Sequence, residues 1–194
     1  MSSAEAVFCR SAPWRGFARR VVLPWVLGDD GDSLGPEVLE IGGGSGAMAQ
    51  ALLERHPHIR LTLADIDPEM AAAARRRLAP FRDRATVTVG DGTRLDFPDD
   101  SFDTVCSWLM LHHTIAWERV LGEAARVTRP GGTIVGYDLT DTAIARVVHR
   151  LDRSEHRLLR PAELERELGR LGSPSPVVER ALGGTTMRFR ARAA

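Results

Sequence analysis

Lysine and asparagine are absent from the chain: all 26 basic residues are arginine, set against 26 acidic ones. Both missing types are specified by adenine-rich codons, so a GC-rich genome explains the pair better than heat adaptation, which favours lysine together with glutamate. Their absence excludes a Schiff-base lysine, a P-loop lysine and an asparagine clamp on a nucleic-acid base. Zero net charge gives no general pull toward nucleic acid or an anionic membrane. The two cysteines, Cys9 and Cys106, make neither a disulfide framework nor a zinc cluster, so no metal site is expected. There is no run of 18 apolar residues and no basic-then-apolar leader ending in a cleavage site. The expectation is a soluble, cytoplasmic protein without stable membrane insertion.

What remains is an ordinary globular composition, 43% hydrophobic and 27% charged over 194 residues, enough for one well-buried domain spanning 1–194. Its organising stretch is Val38-Leu39-Glu40-Ile41-Gly42-Gly43-Gly44-Ser45-Gly46, followed by Ala47 to Leu53 at helical spacing. That pattern is strand, tight turn, helix. Glycines remove the Cβ atoms that keep a ligand from the backbone, and the helix aims its first N–H groups over the turn.

Further along, Arg60 to Asp65 reads as a second strand, Pro68 opens a helix to about Ala79, and Ala85 to Val89 is a third strand. Phe102 to Ser107 is a fourth. A helix with apolar positions from Ile115 to Val127 follows, and Pro130-Gly131-Gly132 is expected to end it and turn into a fifth strand, Thr133 to Asp138. Alternation of this kind implies right-handed crossovers and a parallel sheet with helices on both faces. The tail differs. After a helix from Pro161, two strands flank Gly183-Gly184 as an antiparallel hairpin with a two-residue turn.

Three readings of the N-terminal segment, 1–35, stay open. Arg15 to Leu23 can form two helical turns before Pro24 ends them, packing on the core. It can instead be a lid over a pocket, or a basic amphipathic segment for a lipid surface. Gly28 to Gly35 reads as a linker.

In an open α/β sheet the ligand crevice lies beyond the carboxyl ends of the strands. The glycine turn, Asp65, Asp91 and Ser107 all fall there. Gly42 to Ala47 also fits the dinucleotide pattern G-x-G-x-x-A, with Asp65 at ribose spacing, so a nicotinamide-dependent oxidoreductase is one alternative. Charge argues against it. A pyrophosphate wants N–H groups and no carboxylate nearby, whereas Glu40 precedes the glycines and Asp91 ends the next strand. A cationic nucleoside suits such a rim better.

The segments Val38 to Gly46, Ala64-Asp65-Ile66-Asp67-Pro68-Glu69-Met70, Gly90-Asp91-Gly92, Phe97 to Asp103, and Arg126 to Gly132 together resemble the class I S-adenosylmethionine-dependent methyltransferases. They occur in that family's order over about residues 36–140, and the tail is similar to its last two strands. The resemblance implies a Rossmann-like, doubly wound, seven-stranded sheet with a C-terminal antiparallel hairpin, and S-adenosyl-L-methionine as cofactor. It implies that Ile41, Gly42, Gly43, Gly44, Ser45 and Gly46 contact the methionyl part, with Glu40 reaching its ammonium. Asp65 would accept from the ribose hydroxyls, Ile66 would pack on adenine, and Asp91 with Gly92 and Thr93 would hold the adenine edge. Ser107 and Trp108 would line the methionine side. His112 and His113 are candidate general bases, since an unperturbed imidazole titrates near neutrality; the competing reading is that they merely begin a helix. Tyr137 and Asp138 are further acceptor-site candidates.

Departures narrow the acceptor. Ser107-Trp108-Leu109-Met110 stands where amino-methylating DNA and protein relatives carry Asn/Asp-Pro-Pro-aromatic, so no nucleic-acid partner is expected. Asp67 replaces a common Ser or Asn, and Arg75-Arg76-Arg77 reads as a solvated helix face. No inserted cap domain is visible, which leaves residues 1–30, the segment 140–160 or a partner subunit to close the pocket. Association as a homodimer is left open. The expected activity is methyl transfer to a small apolar or aromatic acceptor, with oxygen as the methylated atom. A non-catalytic S-adenosylmethionine-binding regulator is the second alternative.

Overall fold

The computed structural model describes residues 16–28, 34–143, 145–147 and 156–194. Phe8, Cys9, Trp14 and most of the expected linker lie outside the described residues. A π-helical turn, Ala18–Val22, leads into α1 (Leu23–Leu27). Then follow β1 (Glu37–Ile41), α2 (Ala47–Arg55), β2 (Arg60–Asp65), α3 (Pro68–Leu78), β3 (Ala85–Val89) and β4 (Phe102–Trp108). A 3₁₀ turn (Leu111–His113), α4 (Trp117–Val127), β5 (Thr128–Leu139), α5 (Pro161–Arg170), β6 (Val177–Ala181) and β7 (Thr186–Arg192) complete the described chain.

The strands form one seven-stranded sheet in the order β3-β2-β1-β4-β5-β7-β6. Pairings from β3 through β5 are parallel, and β7 is antiparallel to both β5 and β6. The order reverses between β1 and β4, which opens a crevice at their carboxyl ends. Side-chain alternation splits the core in two. Val38, Leu61, Leu63, Cys106 and Val135 face a layer built by α1, α2 and α3. Leu39, Ile41, Val105, Ile134 and Phe189 face α4 and α5. With both faces covered, the central strands read as nearly continuous apolar runs.

Three local expectations differ from the structure. Pro24 does not end the N-terminal helix but lies in the first turn of α1. Its missing N–H and its ring displace the preceding turn into the wider π form. The buried Val22, Leu23, Val26 and Leu27 anchor this segment on the core. Pro130-Gly131-Gly132 does not turn the chain after α4. It lies within the 12-residue β5, where the pairing with β4 shifts register between Phe102 and Thr104. α4 ends earlier, at Val127. The hairpin connection is also longer than two residues: a 3₁₀ turn, Leu182–Gly184, intervenes, with Gly183 and Gly184 both at positive φ.

Distant side chains pin the loops. Arg84 donates to the carbonyls of Leu53, His56 and Ile59, satisfying the end of α2. Arg126 reaches the carbonyls of Leu95 and Phe97 and pairs with Glu123 and Asp99. Asp103 accepts from the Glu37 amide and from Arg129, a structural duty between β1 and β5.

Gly136, in the middle of β5, shows how tightly the sheet centre is packed. A Cβ there would sit 2.2 Å from the Ser107 carbonyl oxygen and 2.5 Å from the Phe189 ring. Gly136→Ala is expected to lose about 1–3 kcal/mol of stability, the usual range for overpacking a filled core. Chemical denaturation measures it, and an unchanged midpoint would contradict this packing.

Candidate functional site

The crevice at the strand ends is a cleft of about 510 Å³. Its wall includes Ile41, Gly42 and Gly44 from the glycine turn, Asp65, Ile66 and Asp67 after β2, and Gly90, Asp91 and Gly92 after β3. Met70 and Val120 join from α3 and α4, and the segment after β4 contributes Leu109, Met110, His113, Thr114 and Ile115. Among the described residues three carboxylates line it and no arginine does.

The turn has its shape for reasons visible in its neighbours. Gly42, Gly44 and Gly46 all take positive φ, which glycine adopts without strain. At Gly42 a Cβ would meet the Met110 side chain at 2.1 Å, whereas above Gly44 the space is open. Gly43 faces inward: a Cβ there would strike Leu63 at 2.5 Å and approach Glu40 Oε1 at 3.0 Å. The Gly42 amide donates to Ala64, tying the turn to β2.

Asp65 and Glu40 control the electrostatics. Asp65 is only 8% exposed, and its two carboxylate oxygens accept from the Gly44 amide at 2.7 Å and the Asp67 amide at 2.9 Å. Burial raises the Asp65 carboxyl above its ordinary range, and these two amide bonds pull it back. A carboxylate therefore already occupies one of the turn N–H groups that a diphosphate would need. Glu40 is 1% exposed, directly beneath the turn, and its Oε2 meets no hydrogen-bond donor among the described residues. Desolvation holds its carboxyl well above the usual range, and the Asp65 charge adds to the rise.

Other candidates are placed less uniformly. Ile66 is 68% exposed and presents a bare apolar side chain to the cleft. Asp91 is exposed, with Oδ1 accepting from the Thr93 amide and hydroxyl at 2.8 Å each. Thr93 thus shapes the turn that carries Asp91 rather than lining the cleft. Ser45 turns toward α3, where its hydroxyl accepts from Arg77, so the arginine run is not wholly a solvated face. Gly46 caps α2. Asp67 accepts from the Glu69 and Met70 amides as the N-cap of α3.

Ser107 and Trp108 do not line the cleft. Trp108 packs in the core against Tyr137, with ring centroids 6.0 Å apart, and Ser107 is buried opposite Gly136. Adjacent in the strand, they point to opposite faces of the sheet, and both faces are covered. Leu109 and Met110 take that place, Leu109 at φ 50°, an uncommon left-handed conformation for a leucine. His113 lines the cleft, whereas His112 is buried, 3% exposed, with Nδ1 at 2.5 Å from Asp138. Tyr137 and Asp138 are likewise buried, not acceptor-facing. Sequence reading missed Met70, Leu109, Met110, Thr114, Ile115 and Val120 as lining. Only Met110 left a signal, in the need for glycine at position 42.

Such a cleft has the chemistry for a cation with hydroxyls and a planar group. Residues 38–132 match the model of a methyltransferase domain family. The ubiquinone/menaquinone biosynthesis C-methyltransferase UbiE of Paracoccus denitrificans is 29% identical over 137 residues, covering 70% of this chain and 53% of that protein. The demethylmenaquinone methyltransferase of Clavibacter sepedonicus is 33% identical over 146 residues, covering 68% and 55%. The chain thus spans about half the length of the curated relatives it matches. Among solved structures, the putative methyltransferase complexed with the Trm112 activator of Haloferax volcanii superposes with TM-score 0.76 at 19% identity, covering 100% of this chain and 98% of that one. The methyltransferase SibL gives TM-score 0.76 at 20% identity, covering 99% and 59%. Residues 38–132 belong to that methyltransferase domain family, and the chain has the fold of S-adenosylmethionine-dependent methyltransferases. The chemistry of the family's methyl donor fits the residues present: a buried carboxylate oxygen without a hydrogen-bond donor among the described residues has the charge an ammonium would need, and the space above Gly44 is open.

Glu40 gives a pH test of that carboxylate without any ligand. In strong acid it is neutral both folded and unfolded. As pH rises past the ordinary carboxylate range the unfolded chain ionises it more readily than the folded protein does, so stability falls through the window up to the raised value. Glu40→Gln is therefore expected to be more stable than wild type at neutral pH and equal to it in acid, measured by urea unfolding across pH. A less stable variant at neutral pH would show Glu40 to be satisfied within the protein.

Proposed function

Starting from that family membership, we propose that the chain transfers the methyl group of S-adenosylmethionine to a ring carbon of a small phenolic or quinol-type aromatic acceptor. The observation that carries the donor assignment is the Glu40–Asp65 pair: one acid buried without a partner beneath the turn, the other holding the Gly44 amide. Glu40 offsets the ammonium. Asp65 keeps lone pairs for ribose hydroxyls beyond those its two amide bonds use. Ile66 supplies an apolar face for adenine, and Asp91 with the Gly92 backbone meets the adenine edge. A pyrophosphate finds no comparable welcome, which disfavours nicotinamide chemistry.

Carbon replaces oxygen as the methylated atom for two reasons. The relatives named above act as a C-methyltransferase and as a demethylmenaquinone methyltransferase. The cleft mouth is also apolar where an acceptor ring would approach, at Met110 and Ile115. Bound S-adenosylmethionine supplies an already activated methyl group, so the protein's task is alignment and removal of one proton. His113, on the cleft wall, takes the acceptor hydroxyl proton. The ring carbon thereby gains the electron density to take the methyl as its bond to sulfur breaks, leaving S-adenosylhomocysteine; the ring hydrogen at that carbon is then lost as the net proton, and His113 returns its proton to the oxygen.

Labelled S-adenosylmethionine with 1,4-naphthalenediol tests this. The expected product carries its methyl on carbon by NMR; a methyl ether would return the reaction to oxygen, and no turnover on any phenol or quinol would favour a non-catalytic binder. For the donor site, Asp65→Ala is expected to weaken S-adenosylhomocysteine binding by about ten- to a hundredfold by calorimetry, the loss expected for hydrogen bonds to a charged group. Unchanged affinity would remove Asp65 from the site.

A further inference from the structure

The paired histidines are not equivalent, and their surroundings divide the work between them. Asp138, next to last in β5, is fully buried, at 0% exposure. Its Oδ2 accepts from the Leu111 amide at 2.8 Å, and its Oδ1 from the Leu139 amide at 2.6 Å. A group that takes two backbone N–H bonds is built as an acceptor, so His112 Nδ1, 2.5 Å from Oδ1, is the donor of the third bond. A carboxylate this deep is tolerable only with such a set of donors. The bonds hold both the start of the 3₁₀ turn and the ring of its middle residue. The far side is held as well: the Arg157 amide donates to the His112 carbonyl at 2.8 Å, and the Arg157 guanidinium is tied to Glu118 and the Ile115 carbonyl.

One residue on, His113 leaves this anchor and reaches the cleft wall. Its ring lies on that of His112, with centroids 4.0 Å apart and planes at 40°. The imidazole on the cleft wall therefore packs against an imidazole that is clamped. Other charged groups facing the same cleft are Asp65, Asp67 and Asp91.

We propose that Asp138 and His112 are positioning residues that fix the ring of His113, and that His113 alone takes the acceptor's proton. This rests on the methyl-transfer reading above and assigns roles within it. His112 serves through Nδ1, so an amide nitrogen at the same place can stand in for it. Asparagine puts its nitrogen near the position of Nδ1, whereas glutamine puts it near Nε2.

The test compares His112→Asn, His112→Gln and His113→Gln on 1,4-naphthalenediol, with S-adenosylhomocysteine affinity and thermal midpoint as controls. His112→Asn is expected to keep kcat within about threefold and to keep the acid limb of the rate profile, because the bond to Asp138 survives. His112→Gln, which misplaces that donor, is expected to lose about tenfold or more in kcat with cofactor affinity unchanged. His113→Gln is expected to lose about a hundredfold or more, and the acid limb with it, as for a general base. If His112→Asn falls as far as His113→Gln, His112 is the base and the proposal is overturned. A second readout needs no turnover. Nitrogen-15 histidine spectra of the cofactor-free protein are expected to show a strongly downfield His112 Nδ1 proton that survives His113→Gln and disappears in Asp138→Ala. Should wild type methylate nothing, the activity reading fails while the spectrum still judges the anchor, and absence of that proton signal overturns it.

Discussion

A buried carboxylate with an oxygen that no donor among the described residues answers is the constraint on which the rest of the site depends. Glu40 lies at the end of a central strand, beneath a turn that only glycine can form against Met110 and Leu63. A buried charge without a partner is expensive, and the protein meets this by keeping the carboxyl in a range where it readily stays neutral. The arrangement makes little sense as stabilisation. The role proposed for it is half of an ion pair whose other half arrives with the ligand.

The fold supplies the remaining geometry. Reversal of strand order between β1 and β4 brings three strand ends to one rim, and Asp65 locks the glycine turn to that rim through the Gly44 amide. The same bond removes an N–H group from any anion, so one interaction both orders the loop and sets its selectivity. On the other side of the switch point β5 carries Asp138, which orders the turn after β4. Two buried acids on different strands thus hold the two loops between which donor and acceptor would meet. A sheet packed on both faces lets neither loop drift far.

Much of this was legible in the sequence because it is local. The strand–glycine–helix stretch, the acid ending β2 and the apolar runs of β1 and β4 each signal themselves within a few residues. What escaped was set by partners far along the chain. Pro130-Gly131-Gly132 looks like a stop but extends β5, because Thr128 already pairs with Phe102. Pro24 looks like a terminator, yet a widened turn lets the helical path continue. Ser107 and Trp108 were expected at the cleft, but alternation and the contact with Tyr137 turn them inward, and Leu109 reaches the site only through a strained backbone. His112 and His113 are adjacent and alike in sequence; Asp138, 26 residues away, sets them apart.

The central claim is that the cofactor's ammonium completes the buried charge at Glu40, and proton release on binding measures this most directly. Calorimetric titration with S-adenosylmethionine, repeated in buffers of different ionisation heat just above the ordinary carboxylate range, reads how many protons leave. Binding that ionises Glu40 releases protons from wild type and none from Glu40→Gln. Equal proton release from both proteins, or tight binding that leaves the wild-type protons in place, would contradict it.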